Sequence, residues 1–363
     1  MSLSSRVFCF GDYATHCFGL MTLDEGGEVR GYCNEREDRW SLVDGELRFL
    51  LRGSEIVTSR LRLVCEEPLL FHGASTADNN RLYLRELLSL QSLAALPSDP
   101  ARPPLLINTV PKSGTYWLRQ AFLHLGSQPT CLHLGNSLVH DQRGLPDDER
   151  IHREPWLRRT SLPLSLLGPA LPAGSVSVGH VHDRREIEEL ARQGVAMIQV
   201  VRNLRDVIAS LYHFKRHVVD PAHDRDPSWR HASDPTSRFL GFISCYRNNE
   251  IQVLADCVRC FTDHADPVTL RFEDLVNGHV NPCLEPELTR ILGKPDALSR
   301  FREALRVTYR QPTSTLRRVR DKDRDEVSTI RNLAAAFVAG TEFAELNMRN
   351  GYAAESPPCT GKS

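Results

Sequence analysis

From residue 105 onward, short apolar segments alternate with longer helical ones, and this alternation limits the fold more than any other feature. The predicted strands are 105–110, 175–181, 196–201 and 268–272, and the predicted helices are 115–126, 184–193, 206–217 and 237–263. Strands that alternate with helices are typical of a parallel sheet with helices on both faces. The sequence therefore predicts an α/β fold with a central parallel sheet, in which ligands bind beyond the carboxyl ends of the strands.

The N-terminal part has a different pattern. Residues 1–75 alternate apolar and polar side chains, and Asp44-Gly45 is a hairpin-turn signal, so we predict a small β-rich module there. Residues 76–104 are predicted to hold a helix over 79–96 and then a linker, and residues 105–355 the α/β domain. The polar stretch 215–237, interrupted by prolines, predicts a long mobile loop, with a lid as one interpretation.

Charge and composition exclude several classes of protein. The formal net charge is −1, so the chain lacks the broad basic field that binds nucleic acid or anionic membranes. No apolar run approaches the roughly 20 residues of a membrane-spanning helix, and the N-terminus lacks a signal-peptide pattern, so we expect a cytoplasmic protein. Cys257 and Cys260 have C-x-x-C spacing within a predicted helix, where we interpret them as ordinary buried thiols. No metal-ligand cluster is apparent, and no metal is expected.

The segment "PKSGTYW", residues 111–117, lies where a predicted strand turns into a helix. Such a turn leaves backbone N–H groups unpaired at the positive end of the helix dipole, which suits an anion. Gly114 allows a close approach of the backbone, and Lys112, Ser113 and Thr115 add donors and one positive charge. The segment predicts a phosphate site. Its lysine precedes the glycine, unlike in the standard P-loop, and a solvated turn is the alternative.

A second strand–turn–helix segment, "QVVRNLRDVIASLYHFKRH", covers residues 199–217. Arg202 falls at the end of the predicted strand, and Asp206 is the predicted N-cap of the helix. Arg202 and Ser210 are placed to bind one phosphate together, the arginine through two hydrogen bonds.

Together the two segments resemble those of sulfotransferases that use 3′-phosphoadenosine 5′-phosphosulfate (PAPS). The first matches that family's "PKSGTxW" loop, and the second matches "RNPKDVxxSxYHF" except at Leu204 and Arg205. The resemblance extends roughly over 105–352 and ends in "ELNMRNGY". It implies a P-loop-like sulfotransferase fold, PAPS as co-substrate and the desulfated nucleotide, PAP, as product.

The resemblance also implies a set of nucleotide-binding residues. Phe272 replaces a tyrosine that lies near the adenine in the family, and Arg317-Arg318 correspond to a late element that grips the 3′ phosphate, where Val319 replaces a glycine. The whole implied set is Lys112, Ser113, Gly114, Thr115, Tyr116, Trp117, Arg202, Ser210, Phe272, Arg317 and Arg318.

Sulfuryl transfer to a hydroxyl needs a cation at the leaving phosphate and a base for the hydroxyl proton. Lys112 fits the first role, and the resemblance implies that Ser210 restrains it. His180 ends the strand at which the family places its catalytic histidine, so we predict that it is the base. His182 is a rival on the same strand face if the strand continues, and Glu186 is a weaker rival.

The acceptor is left open among small molecules, glycolipids and saccharides, and so is the oligomeric state. One alternative is a P-loop-type kinase, for which Asp274 would have to bind Mg²⁺. The other is a non-catalytic nucleotide- or sugar-binding protein, in which the N-terminal module recognises the sugar. The role of that module is also open.

Overall fold

The computed structural model describes residues 3–4, 6–12, 16–32, 34–66, 69–86, 93, 96–136, 138–142, 159–161, 167–168, 171–219, 226–263, 268–309 and 324–352. The chain divides into two compact units. The first is built on an eight-stranded sheet, and the second on most of the strands and helices that follow Leu93. In these ranges, no helix has the length and apolar character needed to span a bilayer.

The first unit is an antiparallel meander. Its strands are β1 (Val7–Asp12), β2 (His16–Leu23), β3 (Val29–Gly31), β4 (Arg39–Val43), β5 (Glu46–Leu50), β6 (Val57–Glu66), β7 (Leu69–Ser75) and β8 (Arg81–Glu86). β1 pairs with β8, and a bridge between Glu28 and Arg39 joins β3 to β4, so the sheet closes on itself. Alternate side chains, among them Phe10, Phe49 and Phe71, fill the inside. The predicted β-rich module is confirmed.

The helix predicted over 79–96 is wrong where the structure describes it, because Arg81–Glu86 form strand β8. Leu82 and Leu84 enter the core of the sheet, which is the two-residue period of a strand. That alternation outweighs the helix-favouring leucines and arginines of this stretch. The sheet therefore extends to Glu86 instead of ending near residue 75.

The second unit contains five neighbouring strands in the order β10-β13-β9-β14-β15. These strands are β9 (Leu105–Thr109), β10 (Gln128–Gly135), β13 (Ser175–Gly179), β14 (Ala196–Val201) and β15 (Val268–Arg271), and two further short strands are β11 (Leu138–Asp141) and β12 (Arg159–Ser161). The pairs from β10 to β15 in this order are parallel. β10 and β13 lie on one side of β9, and β14 and β15, which follow them in the sequence, lie on the other side. The topological switch point is therefore at the carboxyl end of β9.

Helices cover both faces of this sheet. They are α1 (Thr115–His124), α2 (Arg184–Arg192), α3 (Leu204–His217), α4 (Pro235–Tyr246), α5 (Gln252–Asp263), α6 (Phe272–Val276), α7 (Glu285–Leu292), α8 (Ala297–Thr308), α9 (Arg324–Ala339) and α10 (Phe343–Arg349). β9, β13 and β14 are buried at every position, as expected of parallel strands between two helical layers. The predicted α/β class with a central parallel sheet is confirmed.

The single helix predicted over 237–263 is interrupted by one π-helical turn, Arg247–Ile251, between α4 and α5. The buried stripe of α4 ends at Tyr246 and resumes at Ile251, five residues later. A π-turn accommodates that longer step, and such turns are frequent at functional sites.

The mobile loop predicted at 215–237 is wrong for the parts that the structure describes. α3 extends to His217, and a 3₁₀ turn follows at Pro227–His231. In that turn the Trp229 ring packs 5.6 Å from the Phe242 ring, and the indole is only 4% exposed. Burial of this ring orders a stretch that is otherwise polar. Residues 220–225 lie outside the described ranges.

Arg102 offers a test of the packing around β9. This buried side chain donates to the carbonyls of Ile291 and Gly126 and to Ser127 Oγ, at 3.1, 3.2 and 2.6 Å. Arg102→Met should lower the free energy of unfolding in urea by about 3 kcal/mol, because it leaves buried acceptors unsatisfied. The control Arg184→Met removes an arginine that is 67% exposed and should stay within about 0.5 kcal/mol of the wild type. Equal losses in the two variants would contradict this account.

Candidate functional site

The carboxyl ends of β9, β13 and β14 lie side by side, and a buried amide joins the first two. The Asn108 side chain donates to the Val181 carbonyl and accepts from the Val181 N–H, both at 2.8 Å. This pair of bonds fixes the chain just after His180. Sequence analysis missed Asn108, although a polar residue within the apolar strand "LLINT" was a signal, because buried amides need partners.

The turn after β9 is tight and partly left-handed. Gly114 has φ 87° and immediately precedes α1, and Lys112 has φ 70°. A Cβ on Gly114 would lie 2.6 Å from the Phe272 ring, so both space and conformation require glycine there. A lysine at positive φ is uncommon, and backbone strain of this kind is concentrated at binding sites.

The polar side chains of this turn are held in different ways. Thr115 Oγ1 lies 2.6 Å from Thr109 Oγ1, a bond that ties the start of α1 to the end of β9. Ser113 is fully buried, and its hydroxyl has no hydrogen-bond partner in the part of the chain that the structure describes. A buried hydroxyl without a partner is unfavourable, which makes this atom a candidate contact for a ligand oxygen.

Lys112 lies against α3. Its Nζ is 3.1 Å from the centre of the Phe214 ring, and Ser210 is one helical turn before Phe214 on the same side of α3. Burial lowers the pKa of Lys112 well below its usual value; Lys215 lowers it further, Glu250 raises it and Arg202 lowers it. The amine is therefore in a place that an anion would make favourable for its charged form.

Arg202 connects the turns after β9 and β14. Its Nη1 donates to the Lys112 carbonyl at 2.7 Å, and its guanidinium lies 4.6 Å from the centre of the Phe272 ring. Its Nε is buried and meets no acceptor among the described residues. Burial lowers the pKa of Arg202, against the opposing effect of Asp206 and Glu273. Arg202 Nε is thus a candidate hydrogen-bond donor to an anion.

The turn after β14 is capped differently from the prediction. Asn203, not Asp206, is the N-cap of α3, because its side chain accepts from the Arg205 N–H at 3.0 Å. Asparagine caps as well as aspartate and lies at the position where the helical backbone begins. Asp206 lies in the first turn and accepts two hydrogen bonds from Arg331, at 2.7 and 3.1 Å.

Two distant residues hold this second turn in place. Asn347, which is buried in α10, accepts from the Leu204 N–H at 3.0 Å, and its amide donates to Asn203 Oδ1 at 3.2 Å. Glu273 accepts from the Asn203 N–H at 3.2 Å and from the Tyr352 hydroxyl at 2.6 Å. The C-terminal "ELNMRNGY" segment therefore supports Arg202, a role that its sequence alone did not indicate.

His180 is fixed in one tautomer. Its Nδ1 lies 2.7 Å from the Thr109 carbonyl, which can only accept, so Nδ1 carries the proton and Nε2 keeps a lone pair. Burial lowers the pKa of His180 to about 4, and Lys112 and His182 contribute to the lowering against the opposing bond to Thr109. The ring is therefore neutral at pH 7, which is the form that a general base requires.

His182 lies in another setting. β13 ends at Gly179, so the condition for a shared strand face is not met. His182 Nδ1 lies 3.0 Å from the His180 carbonyl, and the His182 N–H donates to Asn136. The ring beside His180 is instead His133, from β10, with 4.6 Å between the ring centres. Sequence analysis missed this neighbour, because only the strand order places β10 next to β13.

Tyr116 and Trp117, at the start of α1, contact different neighbours. The Tyr116 hydroxyl is 3.3 Å from His133 Nδ1. Trp117 is buried, donates to the Leu305 carbonyl at 3.3 Å and meets the Phe272 ring edge-on at 5.7 Å. Trp117 therefore helps to hold the Phe272 ring in place.

Four further predictions concern residues away from the ends of β9, β13 and β14. Glu186 lies in the first turn of α2, and Asp274 faces Arg271 at 3.8 Å. Arg317 and Arg318 lie outside the described residues. The C-x-x-C pair is mid-helix in α5: burial raises the pKa of the Cys257 thiol and raises that of Cys260 to about 11.

Comparison with known proteins places both turns in one family. Residues 102–245 match the family model for the sulfotransferase domain. This chain carries a sulfotransferase domain. The matched segment runs from just before β9 into α4 and includes Lys112, His180, Arg202 and Ser210, so the family expected from the two sequence segments is confirmed.

Among solved structures, the crystal structure of mouse sulfotransferase SULT7A1 complexed with PAP is similar to this chain. The identity is 18%, the match covers 60% of this chain and 67% of the mouse chain, and the TM-score is 0.34. At that TM-score the likeness adds nothing to the assignment, which rests on the family model and the two turns.

Gly114 of the sulfotransferase domain can be tested against a matched glycine. Gly194 has a similar φ of 81°, but a Cβ there would meet nothing within 4 Å. Gly194→Ala should lower the free energy of unfolding by about 1–2 kcal/mol through backbone strain alone. Gly114→Ala should lower it by about 1–3 kcal/mol more, because the methyl group displaces Phe272.

Urea denaturation measures these free energies of unfolding. When Gly114→Ala is added to Phe272→Ala, the further loss relative to Phe272→Ala alone should fall to that of Gly194→Ala. An additional loss that persists in the double variant would show that the Phe272 ring is not its cause.

Proposed function

We propose that this protein is a PAPS-dependent sulfotransferase of the P-loop-like sulfotransferase fold, which transfers a sulfuryl group to the hydroxyl of a small-molecule, glycolipid or saccharide acceptor. The observation that carries the proposal is the bond from Arg202 to the Lys112 carbonyl. It brings two cationic turns together at the switch point of the sheet, where open α/β sheets bind ligands. The family match of residues 102–245 supports the same reaction class.

The turn after β9 is proposed to bind the 5′ phosphosulfate. Lys112 supplies a point charge, Ser113 and Thr115 supply hydroxyls, and Gly114 keeps the backbone N–H groups accessible. The buried Ser113 hydroxyl fits a close contact between this turn and an anion.

Arg202 and Ser210 are proposed to bind the 3′ phosphate, with Arg317 and Arg318 as further candidates. Phe272 is proposed to flank the nucleotide, with its ring held against Arg202 by Trp117 behind it. Tyr116 is proposed to contribute its backbone to the loop, since its side chain lies toward His133.

In the proposed reaction the acceptor hydroxyl oxygen attacks sulfur, and the bond between sulfur and the 5′-phosphate oxygen breaks. The acceptor proton passes to His180 Nε2, which the bond from Nδ1 to Thr109 leaves as the acceptor nitrogen. Lys112 stabilises the negative charge that develops on the departing phosphate, and Ser210 restrains the lysine beforehand. The products are the sulfate ester, PAP and one proton.

The base assignment is tested by comparing two histidines. His180→Ala should reduce kcat by about 100-fold or more, which is the usual contribution of a general base, and leave the Kd for PAP within about threefold. His182→Ala should retain most of the activity, because its ring bonds to the His180 carbonyl outside the β13 strand. Sulfated product formed from labelled PAPS with a panel of hydroxyl acceptors gives kcat. The opposite ranking of the two variants would move the base to His182.

The two cations should separate binding from chemistry. Arg202→Ala should weaken PAP binding by about 10- to 100-fold in titration calorimetry, since a charged hydrogen bond contributes about 1.5–3 kcal/mol. Lys112→Ala should abolish transfer, because nothing then neutralises the leaving phosphate. The control Arg306→Ala removes an arginine that is 74% exposed on α8 and should bind PAP like the wild type. Near-normal turnover in Lys112→Ala would contradict the proposed mechanism.

A further inference from the structure

The segment that joins β13 to α2 covers residues 180–183, and β9 holds it on one side. Asn108 in β9 is fully buried and pairs with both backbone groups of Val181: its Nδ2 donates to the Val181 carbonyl and its Oδ1 accepts from the Val181 N–H, each at 2.8 Å. The next residue of β9, Thr109, accepts from His180 Nδ1 at 2.7 Å through its carbonyl. Two successive residues of one strand therefore hold the His180 ring and the backbone that follows it.

β10 and the turn after it hold the same segment on the other side. The Leu134 carbonyl accepts from the His180 N–H at 2.8 Å. Asn136 Oδ1 accepts from the N–H groups of both His182 and Asp183, at 2.8 and 3.0 Å. Together with the bond on the β9 side, these bonds give every backbone N–H between β13 and α2 a partner, so the backbone on either side of His180 is held in place.

We propose that Asn108 and Asn136 are positioning residues for His180. By holding the segment from two neighbouring strands, their amides keep Nε2 of the ring within hydrogen-bond reach of the acceptor hydroxyl, the geometry that a general base needs. β9 also leads into the turn that carries Lys112, so Asn108 sets the base relative to the cation at the leaving phosphate. The inference rests on the proposed function, because it assumes that His180 takes the acceptor proton.

Asparagine serves a different purpose at each position, and this difference provides a matched test. Asn108 uses both ends of its amide, so an ionised carboxylate there would face the Val181 carbonyl with no proton to donate. Asn136 uses its carbonyl oxygen for both backbone bonds, so a carboxylate can accept from the same two N–H groups. Replacement of asparagine by aspartate should therefore disrupt the first position and be tolerated at the second.

Asn136→Ala should lower kcat about tenfold. Two backbone N–H groups lose their acceptor, and a misplacement of about 1 Å near a reacting group can cost about 100-fold in rate. Asn136→Asp should recover most of that loss. In both variants the Kd for PAP should stay within about twofold of the wild type, because the proposed nucleotide contacts come from the turns after β9 and β14.

Asn108→Asp should lower kcat about 100-fold at pH 8, because the bond to the Val181 carbonyl is lost at a fully buried position. A buried carboxylate also destabilises the fold, so thermal unfolding is measured for each variant. If Asn108→Asp does not fold, the half-buried Asn136 decides the test. Equal rates in folded Asn108→Asp and Asn136→Asp would overturn the role of Asn108.

The decisive measurement combines Asn136→Ala with His180→Ala. If Asn136 acts through His180, its removal should change kcat by no more than about twofold once the imidazole is gone, because there is no base left to position. A merely structural role would lower kcat about tenfold in both backgrounds. The control Asn277→Ala removes an exposed asparagine after α6 and should match the wild type in kcat and in the Kd for PAP.

The full chain is assayed with labelled PAPS and the acceptor that the wild type sulfates fastest among phenols, monosaccharides and glycolipids, and titration calorimetry gives the Kd for PAP. If the wild type neither binds PAP nor transfers the label, the proposed function and this inference fail together. If the wild type is active but the losses of Asn136→Ala and His180→Ala multiply, or Asn136→Ala weakens PAP binding as much as it lowers kcat, only the positioning role is overturned. Loss of kcat alone, recovery by aspartate and no further loss without His180 support it.

Discussion

One hydrogen bond, from Arg202 to the Lys112 carbonyl, holds the two strand-end turns at a fixed distance. The bond orients the guanidinium so that it lies over the Phe272 ring, and that ring fills the space over Gly114 where a side chain would otherwise be. The first turn, the second turn and the aromatic ring are thus one contiguous arrangement. A change in any of them alters the position of the two cations.

The two cations of the site lie where burial disfavours their charged forms. Burial lowers the pKa values of both Lys112 and Arg202, and the nearby carboxylates are paired with other groups: Asp206 with Arg331, and Glu250 with Lys215. These carboxylates favour the charged forms of Lys112 and Arg202 through their electric field, while their own ion pairs are with other residues. In the proposed function, the phosphates of the nucleotide would offset the loss of hydration that burial imposes on the two cations.

The sequence predicted what depends on local pattern. Strand–helix alternation gave the parallel sheet, and the rule that ligands bind beyond strand ends placed Lys112, His180 and Arg202 at one edge. What the sequence could not predict depends on contacts between distant residues. Asn347 reaches Leu204 across 143 positions, and His133 reaches His180 only because β10 pairs with β13. Strand β8 was missed although its signal was local, because leucine and arginine also favour helices.

The π-turn has a consequence for how this chain can vary in length. The step from Tyr246 to Ile251 is what keeps the buried stripe of α5 in phase with that of α4. Loss of a single residue within the π-turn would shorten that step to four residues and restore an ordinary α-helix, with the buried stripe of α5 still in phase. Loss of one residue in α5 itself, before Cys257, would instead rotate Cys257 and Phe261 by about 100° away from the buried face.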